Sequence, residues 1–215
     1  MDNFLLDMSI YSVLLPLLTG LLLLKFQDAN ARIMVLLMAF ASIPQLSSKL
    51  GFRNEERRIL YNLYILVDVF LWGYLFYRIT NHRLAKNIIR VLCLSLFALC
   101  VYTYISQGIE RRFYSYLVSF NNVIQVICVL IYFYEKYYND KIIRLVEDSM
   151  FWFCFGILVY APLTYFMFAF RFYIPKVELE PWWKYHHIIN TLLYVLITIG
   201  FLISLKKNKT LSNGY

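Results

Sequence analysis

Seven stretches of this chain are nearly free of charge, and each is close to the length that crosses a lipid bilayer. They run from Met8 to Leu24, Ile33 to Ser48, Ile59 to Tyr77, Val91 to Ile109, Phe113 to Tyr134, Ser149 to Phe170 and Tyr185 to Leu205. Only the third is interrupted, at Asp68. A hydrocarbon core about 30 Å thick needs roughly 20 predominantly apolar residues in helical form. The stretches are apolar on every face, whereas barrel strands alternate apolar and polar residues over short segments. A continuous helix also satisfies its own backbone in lipid. The expected fold class is therefore all-α: a polytopic membrane protein, one compact bundle of seven transmembrane helices. One domain occupies residues 1–215, with spans near 8–24, 31–48, 59–77, 88–109, 113–134, 149–170 and 185–205.

Seven helices consume most of the 215 residues, 61% of which are hydrophobic, so no separate soluble domain fits. The net charge of +8 suggests nucleic acid at first sight. Its Lys and Arg residues, however, sit in short segments beside the apolar spans, where such residues fix topology and meet anionic headgroups. The expected partner is the lipid bilayer, with no nucleic acid. Met1 to Asp7 carries two Asp and no Lys or Arg, so the positive n-region of a cleavable signal peptide is missing. Cys93, Cys100, Cys128 and Cys154 all fall inside spans and form no CxxC pair, which reads as packing; no cofactor or metal is expected.

Counting Lys and Arg in the alternate connecting segments gives twelve on the C-terminal side and nine on the N-terminal side. The bias points to N-out, C-in. All connections are short, so consecutive helices should be antiparallel neighbours. Glu135 to Asp148 mixes apolar and charged residues, as in a short interfacial helix, and Asp148 or Ser149 is placed to cap the sixth span. Pro16, Pro44 and Pro162 lie within spans and are expected to kink them.

Polar residues inside spans concentrate toward one side. On the N-out topology that is the outer half, while the inner halves (LLLL, VICVLIYF, ITIGFLISL) are nearly all apolar. Spacing makes the polar residues converge. Tyr61, Tyr64 and Asp68 share a face of the third span, Val118, Asn121 or Asn122, and Gln125 a face of the fifth, and His187, Asn190 and Tyr194 a face of the seventh. Asn62 and Gln45 lie at the same outer level. These stripes predict a cup with Asp68 as its floor, and ligand-binding residues Gln45, Tyr61, Asn62, Tyr64, Asp68, Asn121, Asn122, Gln125, His187 and Asn190. Amides and hydroxyls also glue membrane helices together at about 1 kcal/mol each or less, so any one of them has a structural explanation. Asp68 differs: a mid-membrane carboxyl must pair, protonate or meet a ligand, and no Lys or Arg sits at its depth. Its expected companions are Tyr64, Asn122, Gln125, and His187 or Asn190.

Enzyme chemistry finds little support. There are three histidines, and HExxH, GxSxG and P-loop patterns are missing. The seventh span carries no Lys to anchor a retinal. Pro44-Gln45 resembles the PQ-loop of small seven-helix transporters, but Pro162 is followed by Leu163, so the second copy is lacking.

A further resemblance covers the last third of the chain. Phe133, Tyr134 and Glu135, then Phe151, Trp152, Gly156 and Tyr160 as FW-x3-G-x3-Y, and His187 with Asn190 as H-x2-N before Lys206 and Lys207, resemble small seven-helix membrane proteins of Bacteroidota. Ser149 and Met150 stand where such proteins usually have a Pro before the FW pair. Members of that family resemble membrane components encoded near two-component signalling genes; the family has no established activity, and the resemblance supplies no catalytic residues. The expected function is a non-enzymatic sensor or accessory signalling subunit with a polar pocket open to the periplasm, a small-molecule ligand and a cytoplasmic or membrane signalling kinase as partner. The alternatives are a solute or proton-coupled transporter using Asp68, and a structural subunit of a membrane complex.

Overall fold

The computed structural model describes residues 2–139, 145–171, 173 and 176–212. They are 88% helical, with no strands among them. The helices are α1 (Asp2–Ser12), α2 (Leu14–Leu22), α3 (Ala29–Ser47), α4 (Asn54–Ile79), α5 (Arg83–Gln107), α6 (Ser115–Asn139), α7 (Ser149–Phe170) and α8 (Lys176–Ser212). Seven segments are long and apolar enough to cross a membrane, the first built from α1 and α2 together. Each span presents a large apolar side chain outward: Leu18, Phe40, Phe70, Leu94, Leu130, Phe166 and Leu202 are all exposed. A surface this apolar suits lipid rather than water. The chain is a multi-pass, seven-helix membrane protein.

The first span is broken at Val13. Pro16 explains the break. It has no N–H to give the Ser12 carbonyl, and its ring crowds that carbonyl. Pro44 and Pro162, in contrast, lie inside helices that run on unbroken. Most helix termini begin before the apolar stretch does. α4 starts at Asn54, and Glu56 turns back to accept from the Arg53 backbone N–H (2.8 Å), satisfying one of the free donors of the first turn. α8 has 37 residues, about 55 Å of helix, well beyond the hydrocarbon core.

Asp148 caps α7 as expected, accepting from the Met150 N–H (3.1 Å). Its other oxygen meets the Tyr132 hydroxyl (3.0 Å) and Lys136 Nζ (3.2 Å), joining α6 to α7. Glu135 accepts from the backbone N–H groups of Asn81 (2.7 Å) and His82 (3.0 Å), serving the free N-terminus of α5. Of the expected interfacial helix, Ile142 and Ile143 lie outside the described residues, and Leu145–Glu147 form one 3-10 turn.

Consecutive helices pack as neighbours, and α8 packs back on α1 and α2, which closes the ring. α4 also touches α6 directly, leaving α5 outside the pair. α5 is the least buried span, held by Leu96 and Cys100 against Ile65, Val69 and Leu117. The main core lies in the half of the bundle away from the chain's N-terminus. There Met34, Leu37, Leu75, Phe76, Phe153 and Phe201 are buried together. Close approach of α7 and α8 in this layer depends on Gly200, where an added Cβ would collide with the Phe153 ring.

Candidate ligand-binding cavity

Above this core the bundle opens into a cavity of about 1230 Å³, lined by α1, α3, α4, α6, α7 and α8. α5, displaced by the contact of α4 with α6, contributes no wall. The mouth lies on the N-terminal side, where the α3–α4, α5–α6 and α7–α8 connections gather. The floor is apolar, formed by Met38, Trp72, Ile157 and Ile197, which lie deeper than Asp68. Asp68 is therefore on the wall, one helical turn above Trp72, rather than at the bottom.

The α4 stripe follows the expected register: Tyr61, Tyr64 and Asp68 all line the cavity. The Asp68 carboxyl is buried and accepts hydrogen bonds from its own helix and from α6. Tyr64 donates its hydroxyl to Oδ1 (2.9 Å), while Asn121 Nδ2 (2.5 Å) and Gln125 Nε2 (2.8 Å) from α6 donate to Oδ2. Donors on an adjacent helix replace the water that a mid-membrane carboxyl has lost. The other expected companions go elsewhere. Asn122 points to α7 and donates to Thr164 Oγ1 (3.0 Å). Asn190 donates to Ser9 Oγ (2.9 Å), and Gln45 to the Ser9 carbonyl (3.1 Å). These two join α8 and α3 to α1 one turn before its break. His187 lines the cavity with its Nδ1 buried and unpartnered.

Asn62 is the one expected site residue that the cavity does not include. Successive helical residues point about 100° apart, so Asn62 faces away from Tyr61's side. It donates to the carbonyls of Ile109 (2.8 Å) and Arg112 (2.9 Å) and accepts from the Tyr114 N–H (3.4 Å), while Tyr104 donates to its carbonyl (2.8 Å). Its role is to tie down the α5–α6 connection.

Five cations line the mouth that the sequence reading assigned to topology alone: Lys49, Arg57, Arg58, Arg112 and Arg171. Among the described residues, Asp68 is the only acidic one in the lining. Lys49 pairs with Asp7 (2.5 Å), and the hydrogen bond to Asp7 pushes the Lys49 ammonium above its ordinary pKa. Arg112 donates to Gln107 Oε1 (2.6 Å) and lies over the Tyr114 ring. Arg171 is exposed at one side but rests on the faces of Phe113 (5.7 Å) and Trp183 (5.8 Å); partial burial lowers its pKa from the ordinary arginine value. The half-buried Arg57 and Arg58 both have a buried Nε with no hydrogen-bond partner. His186, packed on Tyr160, Phe168 and Trp183, has an unpartnered buried Nδ1 like its neighbour His187. A signal for these residues was present: Arg57, Tyr61, Tyr64 and Asp68 recur at i, i+4, i+7 and i+11 on one helical face.

Among the described residues no three His, Cys, Asp or Glu side chains are grouped to hold a metal ion. The arrangement offers cations at the mouth, an aromatic collar beneath them, hydrogen-bonding groups at mid-depth and an apolar floor. Comparison with protein-family models, with curated proteins and with solved structures finds no match, so the geometry of this cavity is what the functional reading rests on.

Proposed function

We propose that this protein is a non-enzymatic receptor of the bacterial inner membrane, oriented N-out and C-in, that binds a small ligand from the periplasmic side. It acts as a sensor or accessory signalling subunit, with a membrane or cytoplasmic signalling kinase as its partner. One observation carries the reading: a large cavity opens at one face of the bundle and is sealed toward the other by an apolar core. Occupancy would be felt by α1, α3, α4, α6, α7 and α8 at once, since all of them line the cavity. On the opposite face, Asp148 ties α6 to α7 and Glu135 ties α6 to the start of α5. A shift of α6 at Asn121 and Gln125 would therefore reach the side where a partner docks. The Bacteroidota resemblance, with its signalling neighbourhood, agrees with this role. Transcript profiles test it. Deleting the gene should change a defined regulon, and Val118→Trp, which fills the cavity, should reproduce one of the two signalling states. Unchanged transcripts in both strains would end the proposal.

A second reading, a carrier using Asp68, is favoured by the broken first span beside the cavity, because carriers place interrupted helices at their substrate sites. A carrier must also open its far side, where Phe76, Phe153 and Phe201 now close the bundle. Solute uptake by proteoliposomes that Asp68→Asn abolishes would establish it in place of the receptor.

A further inference from the structure

Resting on the receptor reading, we propose that the ligand is an organic anion with an extended apolar body, its carboxylate or phosphate held at the mouth by Arg57, Arg58 and Arg171. Charge is the first argument. Among the described residues the lining carries five cations against a single acid, and that acid lies deep in the cavity with its hydrogen-bond donors already in place. Lys49 is paired with Asp7, and Arg112 is occupied by Gln107, but Arg57 and Arg58 each keep a buried Nε without a partner. A buried guanidinium donor left empty is costly, and an anion answering two or more of them makes charge-assisted bonds of the strong kind.

Shape is the second argument. Below the guanidinium groups come Phe113, Trp183 and Phe168, and below these Trp72 and Ile197. Arg57 and Asp68 are eleven residues apart on α4, about 16 Å along the axis. A compact inorganic anion would use the mouth and leave this depth empty. A long amphiphile fills both, with its charged end at the level of the membrane interface and its body toward the midplane. Asp68 repels a second negative group, so the buried end of the ligand is uncharged or carries a hydrogen-bond donor.

The same chemistry is available from anionic lipids of the membrane and from water-borne organic acids. The test uses the purified full-length protein in an uncharged detergent, titrated with 16-bromohexadecanoate and with 16-bromohexadecan-1-ol. Bromine quenches the fluorescence of Trp72 at the floor, and Trp72→Phe subtracts every other tryptophan. The acid should quench Trp72 at a concentration about tenfold or more below that of the alcohol. Arg57→Gln with Arg58→Gln should raise its midpoint about tenfold, and Arg83→Gln, on the opposite face, should leave it unchanged. Should the double variant fail to fold, Arg171→Gln supplies the same comparison. Equal midpoints for acid and alcohol, or an unchanged midpoint in the arginine variants, overturn the anion proposal. If the alcohol still reaches Trp72 and Val118→Trp blocks it, the receptor reading survives that result; if no bromo-compound reaches Trp72, both fail. Mass spectrometry of solvent extracts separates the sources: a co-purifying anionic amphiphile marks the membrane, and binding of the acid to extract-free protein marks the aqueous phase.

Discussion

Replacing Asp68 with Asn and with Leu separates the two things its carboxyl does, carrying charge and accepting hydrogen bonds. An Asn side chain can place its one oxygen where Oδ2 now receives Asn121 and Gln125. Its new NH2 then faces the Tyr64 hydroxyl, whose oxygen can accept in place of donating. The Tyr64 O–H and the second N–H of the new Asn then turn to water in the cavity that both side chains line. Three charge-assisted bonds become neutral, a loss of about 1 kcal/mol each. Relief of a mid-membrane charge returns a few kcal/mol. Asp68→Asn should thus lie within about 1 kcal/mol of the wild type. Leu leaves the Asn121 and Gln125 N–H groups and the Tyr64 O–H without an acceptor, at roughly 1–3 kcal/mol each; set against the same relief of charge, Asp68→Leu should cost about 1–6 kcal/mol, the lower figure applying where cavity water steps in. Reversible unfolding in mixed dodecyl maltoside and SDS micelles, followed by tryptophan fluorescence, measures both. The double variant Asp68→Leu with Asn121→Leu should recover part of the loss. If Asn is as damaging as Leu, the charge and not the acceptor geometry holds α4 to α6, and the reasoning fails; equal stability of all three proteins would refute the network altogether.

Other expectations concern packing and loops. Gly200→Ala puts a methyl against Phe153, which is fully buried and wedged edge-on to Phe201 (5.2 Å between centroids), so it should cost about 1–3 kcal/mol in the same unfolding assay. Asn62→Ala frees two carbonyls of the α5–α6 connection; limited proteolysis there should accelerate while 16-bromohexadecanoate binding stays as in the wild type. The raised pKa of Lys49 means its pair with Asp7 is formed at neutral pH and is lost on the alkaline side as pH rises through that raised value. Both side chains are well exposed, so Lys49→Gln should leave unfolding at pH 7 and physiological salt unchanged.

The spans and the polar stripes were legible because both are periodic properties of single helices. Tyr61, Tyr64 and Asp68 face the cavity as 3.6-residue spacing requires, and so do Asn121, Gln125, His187 and Asn190. What spacing does not contain is the rotation of one helix against another. Asn121 and Asn122 are adjacent in sequence, and only the packing of α4 against α6 selects Asn121 for Asp68 and sends Asn122 to Thr164. Asn62 lies outside the cavity lining for a related reason: polarity at the right depth does not show which way a side chain points. The helices run beyond the expected spans where charges begin inside a helix, as at Asn54–Arg58 and Lys176–Lys184, because a helix continues past the hydrocarbon boundary. The cations of the mouth were missed by the same habit. Lys and Arg at a span end have a sufficient explanation in topology, and that explanation hid the Arg57 to Asp68 face.

Relocating those cations also bears on sidedness. Twelve Lys and Arg lie in the segments on the C-terminal side and nine on the N-terminal side, a narrow margin for the positive-inside rule. Five of the nine line the cavity. Charges retained on the disfavoured side need a reason, and a binding site for an anion is one. The four that remain, Arg53, Arg111, Lys176 and Lys184, stand against twelve, and the bias then falls clearly on the C-terminal side. The cavity thus accounts for the cations that narrow the bias, and the proposed N-out orientation would place its mouth toward the periplasm. A reporter active only in the cytoplasm, fused after Tyr215, should give full signal, and one fused in the α3–α4 connection after Gly51 should give none. Neutralising Arg57, Arg58 and Arg171 together should leave both signals unchanged, because these residues work against the bias and do not set it. A silent C-terminal fusion would turn the mouth toward the cytoplasm and remove the periplasmic ligand from the proposal.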